Sequence, residues 1–330
     1  VNNPEDFPVD EAEVKAWLNE RRATTGLSWK AIADESGLKS GTLSNWANGT
    51  YAGRGENVAR DVFKYRQMLE SQTERAADRQ SAGLTEAPNF IETATGRRLR
   101  GLLMTAHSGE ITYAATGPGT GKTKEAQNYI ACMSNAYMVT MKPTTKSVTA
   151  MMGEVIRALG GKSGTSWARQ MSAQVIDMVK GRRCLLIVDE ANYLEFEAHE
   201  ELRAWHDIAG LGICLLGNEE LHSTIRGGAL RGARHSFARL NSRIAMKHVQ
   251  DMPLPEDIAA YLDAWKIENA EQRALLTKVG MTPGTGGLRE IRQIITNATM
   301  LAFEDGSPLT HAHLREAMGA RATSHLRVVT

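Results

Sequence analysis

The stretch Thr116-Gly117-Pro118-Gly119-Thr120-Gly121-Lys122-Thr123 decides the fold. It follows an apolar run, ITYAA (111–115), and leads into a helical segment that begins near Lys124. A strand, a glycine-rich turn and a helix start, in that order, are the setting of a phosphate-binding loop. Gly117, Gly119 and Gly121 let backbone amides approach phosphate oxygens, and Pro118 and Thr120 complete the turn. The helix start adds a partial positive charge. Lys122 is placed to neutralise the β and γ phosphates of ATP, and Thr123 to ligate Mg²⁺. The strict pattern asks for Gly at 116, where this chain has Thr, a departure that allows a backbone shift at that corner. In isolation the stretch would also suit a glycine-rich turn followed by a chance Lys-Thr pair.

A second segment weighs against chance. CLLIVDEA (184–191) reads as a buried strand that ends in two acids. Such a pair belongs at the exposed carboxyl end of a strand, the edge at which open α/β sheets bind ligands. Asp189 is expected to hold Mg²⁺ and Glu190 to polarise an attacking water. YMVTM (137–141) and GICLLG (212–217) read as further strands, with helical stretches between them. That alternation predicts a parallel sheet covered by helices. After Pro253 and Pro255 the pattern turns helical, with helices expected at about 255–265, 270–279, 287–303 and 310–319.

Other residues gather around this frame. Asn218 ends the strand at 212–217 and is suited either to position a lytic water or to form an ordinary turn. The segment 226–247 carries Arg226, Arg231, Arg234, Arg239, Arg243 and Lys247 and no acid. One of its arginines could reach the γ-phosphate of a neighbouring subunit; otherwise the segment is a solvated or DNA-facing basic stretch. Arg289 opens a helix in the final region, where a guanidinium could sense the nucleotide or simply face solvent. His311 and His313 are two apart on a helix and share no face, so a metal site there is not expected.

The amino-terminal region reads as a separate helical unit, residues 1–70. SWKAIADESGLKSGTLSNWANG (28–49) has a helix-turn-helix pattern, with Ile32, Ala33, Leu38, Leu43 and Trp46 inward and Gly37 at the turn. Lys39, Ser40, Thr42, Ser44 and Asn45 would point outward from the second helix, as major-groove readers do. A protein-binding helical bundle is the other reading. Residues 71–88 are polar, contain Gly83 and Pro88, and read as a linker that is helical at its start.

Composition bounds the rest. Of 330 residues, 42% are hydrophobic and 23% charged, which excludes a mostly disordered chain. No run of eighteen apolar residues exists, so no transmembrane helix is expected. The first thirteen residues carry Glu5, Asp6, Asp10, Glu11 and Glu13, unlike the basic start and apolar stretch of a secretory signal. Three scattered cysteines, Cys132, Cys184 and Cys214, point to the cytoplasm and to no disulfide or zinc framework. With 39 basic against 38 acidic residues, any nucleic-acid surface must be local.

The order of phosphate loop, acid-ended strand, Asn-ended strand, arginine segment and helical lid resembles an AAA+ ATPase over about residues 90–320. The resemblance implies an α/β AAA+ P-loop NTPase fold, a parallel sheet at 89–252 with a C-terminal helical lid at 253–330, preceded by the all-α helix-turn-helix domain. It makes Lys122 and Thr123 the Walker A pair, Asp189 and Glu190 the Walker B pair, Asn218 sensor 1, Arg243 in LNSRI the arginine finger with Arg239 as runner-up, and Arg289 sensor 2. The helix-turn-helix segment is similar to the lambda-repressor-like family. The joined architecture, with FIETATGRRLRGLLMTAHSGE (90–110), resembles the Mu B family of transposition ATPases. That family implies capture of double-stranded target DNA, activation of a transposase, ATP hydrolysis stimulated by both, and a homo-oligomer forming a helical filament on DNA. In related ATPases the segment after the second strand faces DNA, here KPTTKSVTAMMGEVI (142–156), with Lys142, Thr144, Thr145 and Lys146 suited to phosphates. A helicase loader or replication initiator shares every nucleotide motif. A DNA-binding regulator that merely holds nucleotide is the alternative from another class, and Glu190 argues against it.

Overall fold

The computed structural model describes residues 9–81, 90–162, 164, 167–226, 234–284 and 286–326. The chain forms two compact units, Val1–Thr85 and Glu86–Thr330.

The first unit is all helical. Asp10 caps α1 (Glu11–Thr25) by accepting from the amides of Ala12 and Glu13, and Gly26 ends it in a left-handed conformation. Ser28 caps α2 (Trp29–Ser36), which stops at Gly37, φ +72°. The helix α3 (Ser40–Ala47) follows, then α4 (Gly55–Ser81). Val14, Leu18, Ile32, Ala33, Leu43, Trp46, Val58 and Val62 form its core, so the inward positions expected at 32, 33, 43 and 46 are inward. One expectation changes: Lys39 stands just before α3 as its N-cap, not on the helix face. The polar segment from residue 71 starts helical, as a continuation of α4 to Ser81; residues 82–88 lie outside the described residues.

In the second unit, α5 (Ala94–His107) precedes β1 (Ile111–Thr116), α6 (Lys122–Cys132) and β2 (Ala136–Thr140). A 3-10 turn (Pro143–Thr145) leads to α7 (Val148–Ala158), α8 (Ala168–Val179), β3 (Leu185–Asp189) and, after a second 3-10 turn (Ala191–Tyr193), α9 (Phe196–Ala209). Then come β4 (Gly212–Gly217), α10 (Glu219–Ile225), α11 (Arg234–Asn241) and β5 (Ile244–Gln250). Four helices close the unit: α12 (Pro255–Ala264), α13 (Ala270–Gly280), α14 (Gly287–Glu304) and α15 (His311–Leu326).

The sheet is parallel throughout, in the order β2-β3-β4-β1-β5. Its central strands are covered on both faces, and side chains alternate between them. Tyr113, Leu186, Val188, Ile213 and Leu215 pack toward α7, α8 and α9. Ala114, Leu185, Ile187, Cys214 and Leu216 pack on the other face with Leu99, Leu102 and Leu103 of α5. The register pairs Ala115 with Gly217 and Val188 with Leu215, so the ends of β1, β3 and β4 emerge together along one edge. The final helices have their own core around Ile258, Leu262, Leu276, Ile291, Ile294 and Leu314.

β5 lies inside the basic segment 226–247 and beyond it, where the sequence reading placed no strand. It is an edge strand with Ala245, Met246, Lys247 and Val249 exposed, so it lacks the apolar run by which the central strands were read. β2, the opposite edge, is also only partly buried, with Val139 its one fully buried residue. Among the described residues no helix is long and apolar enough to cross a membrane.

Candidate functional site: a phosphate loop at the sheet edge

The loop between β1 and α6 is shaped by close backbone approaches. Gly119 and Gly121 have φ of +72° and +99°, the left-handed region that favours glycine. A Cβ on Gly117 would lie 1.8 Å from the carbonyl oxygen of Asp251, and one on Gly119 would lie 1.7 Å from that of Gly286. Any side chain there would have to displace the backbone. Gly117 also donates its amide to Gln250 O at 2.9 Å, and Leu288 donates its amide to Gly119 O at 3.1 Å. The loop is therefore clasped between the end of β5 and the start of α14.

Thr116, where the strict pattern has Gly, stays in the strand and takes no left-handed conformation. Its hydroxyl pairs with that of Thr120 at 2.6 Å, and Thr120 also donates to Gly117 O at 3.0 Å. Both threonines are buried and brace the loop from within.

Lys122 Nζ donates to Thr116 O at 2.6 Å and Gly117 O at 3.2 Å. Burial pushes its pKa down, the nearby Glu190 and Asp189 carboxylates pull it back up, and the Arg289 guanidinium lowers it. Four charged groups, from the glycine-rich loop, the end of β3 and the start of α14, thus share one field. Thr123 donates its hydroxyl to Asp189 Oδ2 at 2.8 Å. Asp189 is buried at the end of β3, and Glu190 follows at φ +54°, its amide donating to Asp189 Oδ1 at 3.1 Å. A non-glycine residue at positive φ stores local strain, which is usual at functional sites. The hydroxyl and carboxylate oxygens of Thr123 and Asp189 are the hard donors that Mg²⁺ takes, with phosphate oxygens and water to complete the shell.

Asn218 caps α10, its Oδ1 accepting from the Glu220 amide at 2.9 Å. It stands at the same sheet edge as the loop, but its carbonyl is engaged as a helix cap. Arg289, whose backbone amide lies against Gly119, stays exposed. Arg243 sits between α11 and β5, and its Nε pairs with Asp207 Oδ1 on α9 at 2.6 Å. Arg239 is exposed on α11. Arg231 and the Arg234 side chain lie outside the described residues.

In the loop after β2, Lys142 is exposed and Lys146 pairs with Glu195 at 3.0 Å. Thr145 does not fit the expected phosphate contact. It is buried, and its hydroxyl accepts from the Lys142 amide at 3.0 Å, so it builds the turn. In the first unit Lys39 and Asn45 are exposed and Thr42 is half-buried.

One polar hub escaped the sequence reading. Asp257, fully buried at the start of α12, accepts from the amides of Thr95 at 2.9 Å and Leu254 at 3.0 Å and from the Thr95 hydroxyl. Gln250 joins it, its Nε2 donating to Thr95 Oγ1 at 2.9 Å and to Met252 O at 2.7 Å. This hub ties α5, β5 and α12 beside Gly117. Its one local signal was an acid at the third position of a helix opening with proline.

Residues 107–225 match the family model described as an AAA domain, and residues 242–320 match the model of the Mu B transposition protein, C terminal. The chain is 31% identical over 307 residues to the ATP-dependent target DNA activator B of Escherichia phage Mu, spanning 93% of this chain and 94% of that one. It is 32% identical over 277 residues to the Mu-like prophage FluMu DNA transposition protein B of Haemophilus influenzae, spanning 84% and 93%. Among solved structures, that of Drosophila ORC bound to DNA superposes with a TM-score of 0.51 at 16% identity, covering 73% of this chain and 64% of that one, a likeness of fold alone.

Proposed function

The chain belongs to the Mu B family of ATP-dependent target DNA activators, and from that premise we propose that it is an ATPase that captures duplex target DNA and activates a transposase. The observation that carries the reading is the junction of Lys122, Thr123, Asp189 and Glu190 at one sheet edge beside a loop too tight for side chains. Lys122 leaves the carbonyls of Thr116 and Gly117 to meet the β and γ phosphates, exchanging neutral acceptors for anionic ones. Thr123 and Asp189 would hold Mg²⁺, which would supply charge neutralisation at the phosphates. Glu190 orients and polarises water, and Asn218 stands ready to position it once nucleotide draws its side-chain carbonyl from the α10 cap. Arg289 senses the phosphates from α14.

The working form is a homo-oligomer, a helical filament on DNA in the cytoplasm of a bacterial host. Arg243 reaches the nucleotide of the neighbouring subunit, with Arg239 next in line. Lys142 and Lys146 contact DNA phosphates. The helix-turn-helix unit adds Lys39, Thr42 and Asn45 as a second DNA contact.

Steady-state ATP turnover, measured alone, with duplex DNA and with DNA plus transposase, tests the reading. Lys122→Ala is expected to lose nucleotide binding and nucleotide-dependent DNA binding. Glu190→Gln is expected to keep both and lose turnover by about 10²–10⁴-fold, forming longer-lived DNA complexes. Unchanged ATP affinity in Lys122→Ala would remove the phosphate loop from the mechanism.

A further inference from the structure

The geometry points to Asp207 as the positioning residue of the arginine supplied to the neighbouring subunit. The inference rests on the reading of Arg243 as that arginine. Glu200, Arg203 and Asp207 are three and four apart on α9 and so share a face. Asp207 uses both carboxylate oxygens: Oδ1 accepts from Arg243 Nε at 2.6 Å, and Oδ2 accepts from Arg203 Nη1 at 2.5 Å. Arg203 is held in turn, its Nε donating to Glu200 Oε2 at 3.1 Å, and Glu200 Oε1 is buried without a hydrogen-bond partner.

Arg243 is fixed at more than one point. Its Nη1 donates to Arg239 O at 3.0 Å and to Ser242 Oγ at 3.3 Å. Among the described residues Nη2 takes no partner. The guanidinium is therefore anchored through Nε and Nη1 and keeps its outer nitrogen for an incoming anion. The hydrogen bond from Arg243 holds the Asp207 carboxyl below the usual carboxylate range.

A long arginine side chain on a surface samples many rotamers, and a displaced charge stabilises a transition state poorly. An isolated exposed ion pair would do little to prevent this. A four-member chain that runs from Arg243 through exposed Asp207 to half-buried Arg203 and Glu200 restricts that freedom before any neighbour arrives. Asp207 touches no substrate in this account; it acts through Arg243.

The test uses the full-length protein on duplex DNA. Asp207→Asn is expected to lower kcat by about ten- to a hundredfold, with KM for ATP and affinity for a fluorescent ATP analogue unchanged. Asp207→Glu is expected to recover part of the loss. Asp207→Asn combined with Arg243→Ala is expected to turn over no slower than Arg243→Ala alone, because both remove one interaction. Mixed filaments separate positioning from damage. Glu190→Gln subunits cannot hydrolyse ATP, yet they bind it, assemble on DNA and carry an intact Asp207 and Arg243, and are expected to restore turnover in the Asp207→Asn pockets they adjoin. If co-assembled mixtures stay inactive, or if Asp207→Asn turns over normally while Arg243→Ala does not, Asp207 has no such role. If Arg243→Ala itself hydrolyses normally, the arginine reading fails first and the inference with it. Should Asp207→Asn not fold, Arg203→Gln weakens the same anchor and carries the same expectations.

Discussion

Thr123 and Asp189, sixty-six residues apart in sequence, are joined by a hydroxyl-to-carboxylate hydrogen bond of 2.8 Å. The bond aligns two oxygen donors before a cation arrives. Thr123→Val keeps the side-chain shape and removes the hydroxyl. It is expected to weaken Mg²⁺-dependent ATP binding by about ten- to a hundredfold while leaving metal-free nucleotide binding nearly intact. Titrating ATP with and without Mg²⁺ checks this, and equal losses in both conditions would argue that Thr123 serves the loop alone.

The two tight glycines make a second prediction. Gly117→Ala and Gly119→Ala each drive a methyl into a backbone oxygen less than 2 Å away, so the loop must part from Asp251 or from Gly286. Both variants are expected to lose ATP binding and to destabilise the second unit by about 1–3 kcal/mol. Gly101→Ala is the control: it lies in α5 with nothing within 4 Å of the new methyl, and it is expected to stabilise by about 0.5–1 kcal/mol. Thermal melts with and without nucleotide separate the three.

Acid should act on His199. It is fully buried against Phe237, pairs through Nδ1 with Glu195 O, and burial lowers its pKa from 6.5 to about 4. The folded state therefore excludes a proton that the unfolded chain accepts. Stability is full above pH 6.5 and falls as pH drops toward about 4, by about 3 kcal/mol at most. Denaturant melts across that window are expected to show the decline, and His199→Leu to flatten it.

DNA affinity should report on Lys142 and Lys146 separately. Each replacement by Ala is expected to weaken binding across sequences and to reduce the slope of log affinity against log salt by about one unit. Lys146 already pairs with Glu195, so Glu195→Gln is expected to tighten DNA binding by releasing it. Binding isotherms at several salt concentrations decide, and an unchanged slope in the double lysine variant would move the DNA path to the 226–247 segment.

The phosphate loop and the acid-ended strand were legible because their chemistry sits at the ends of strands buried on both faces. Such strands read as plain apolar runs, and the polar residues that interrupt them stand out. β5 was not legible, since an edge strand carrying Lys247 and His248 looks like the basic segment that leads into it. Thr145 was misread because a hydroxyl gives no sign in sequence of whether its own turn will consume it. The Asp257 hub was hidden for a different reason: its partner Thr95 lies 162 residues away, a pairing only the folded sheet creates.

The hydrogen bond from the Leu288 amide to Gly119 O ties the turn after β1 to the start of α14. The helical lid meets the loop beneath it in direct backbone contact. Tilting α14 pulls on the same turn that wraps the phosphates, so opening the cover and loosening the grip are one motion. On the proposed reading, release of spent nucleotide is expected to require that shared joint to yield.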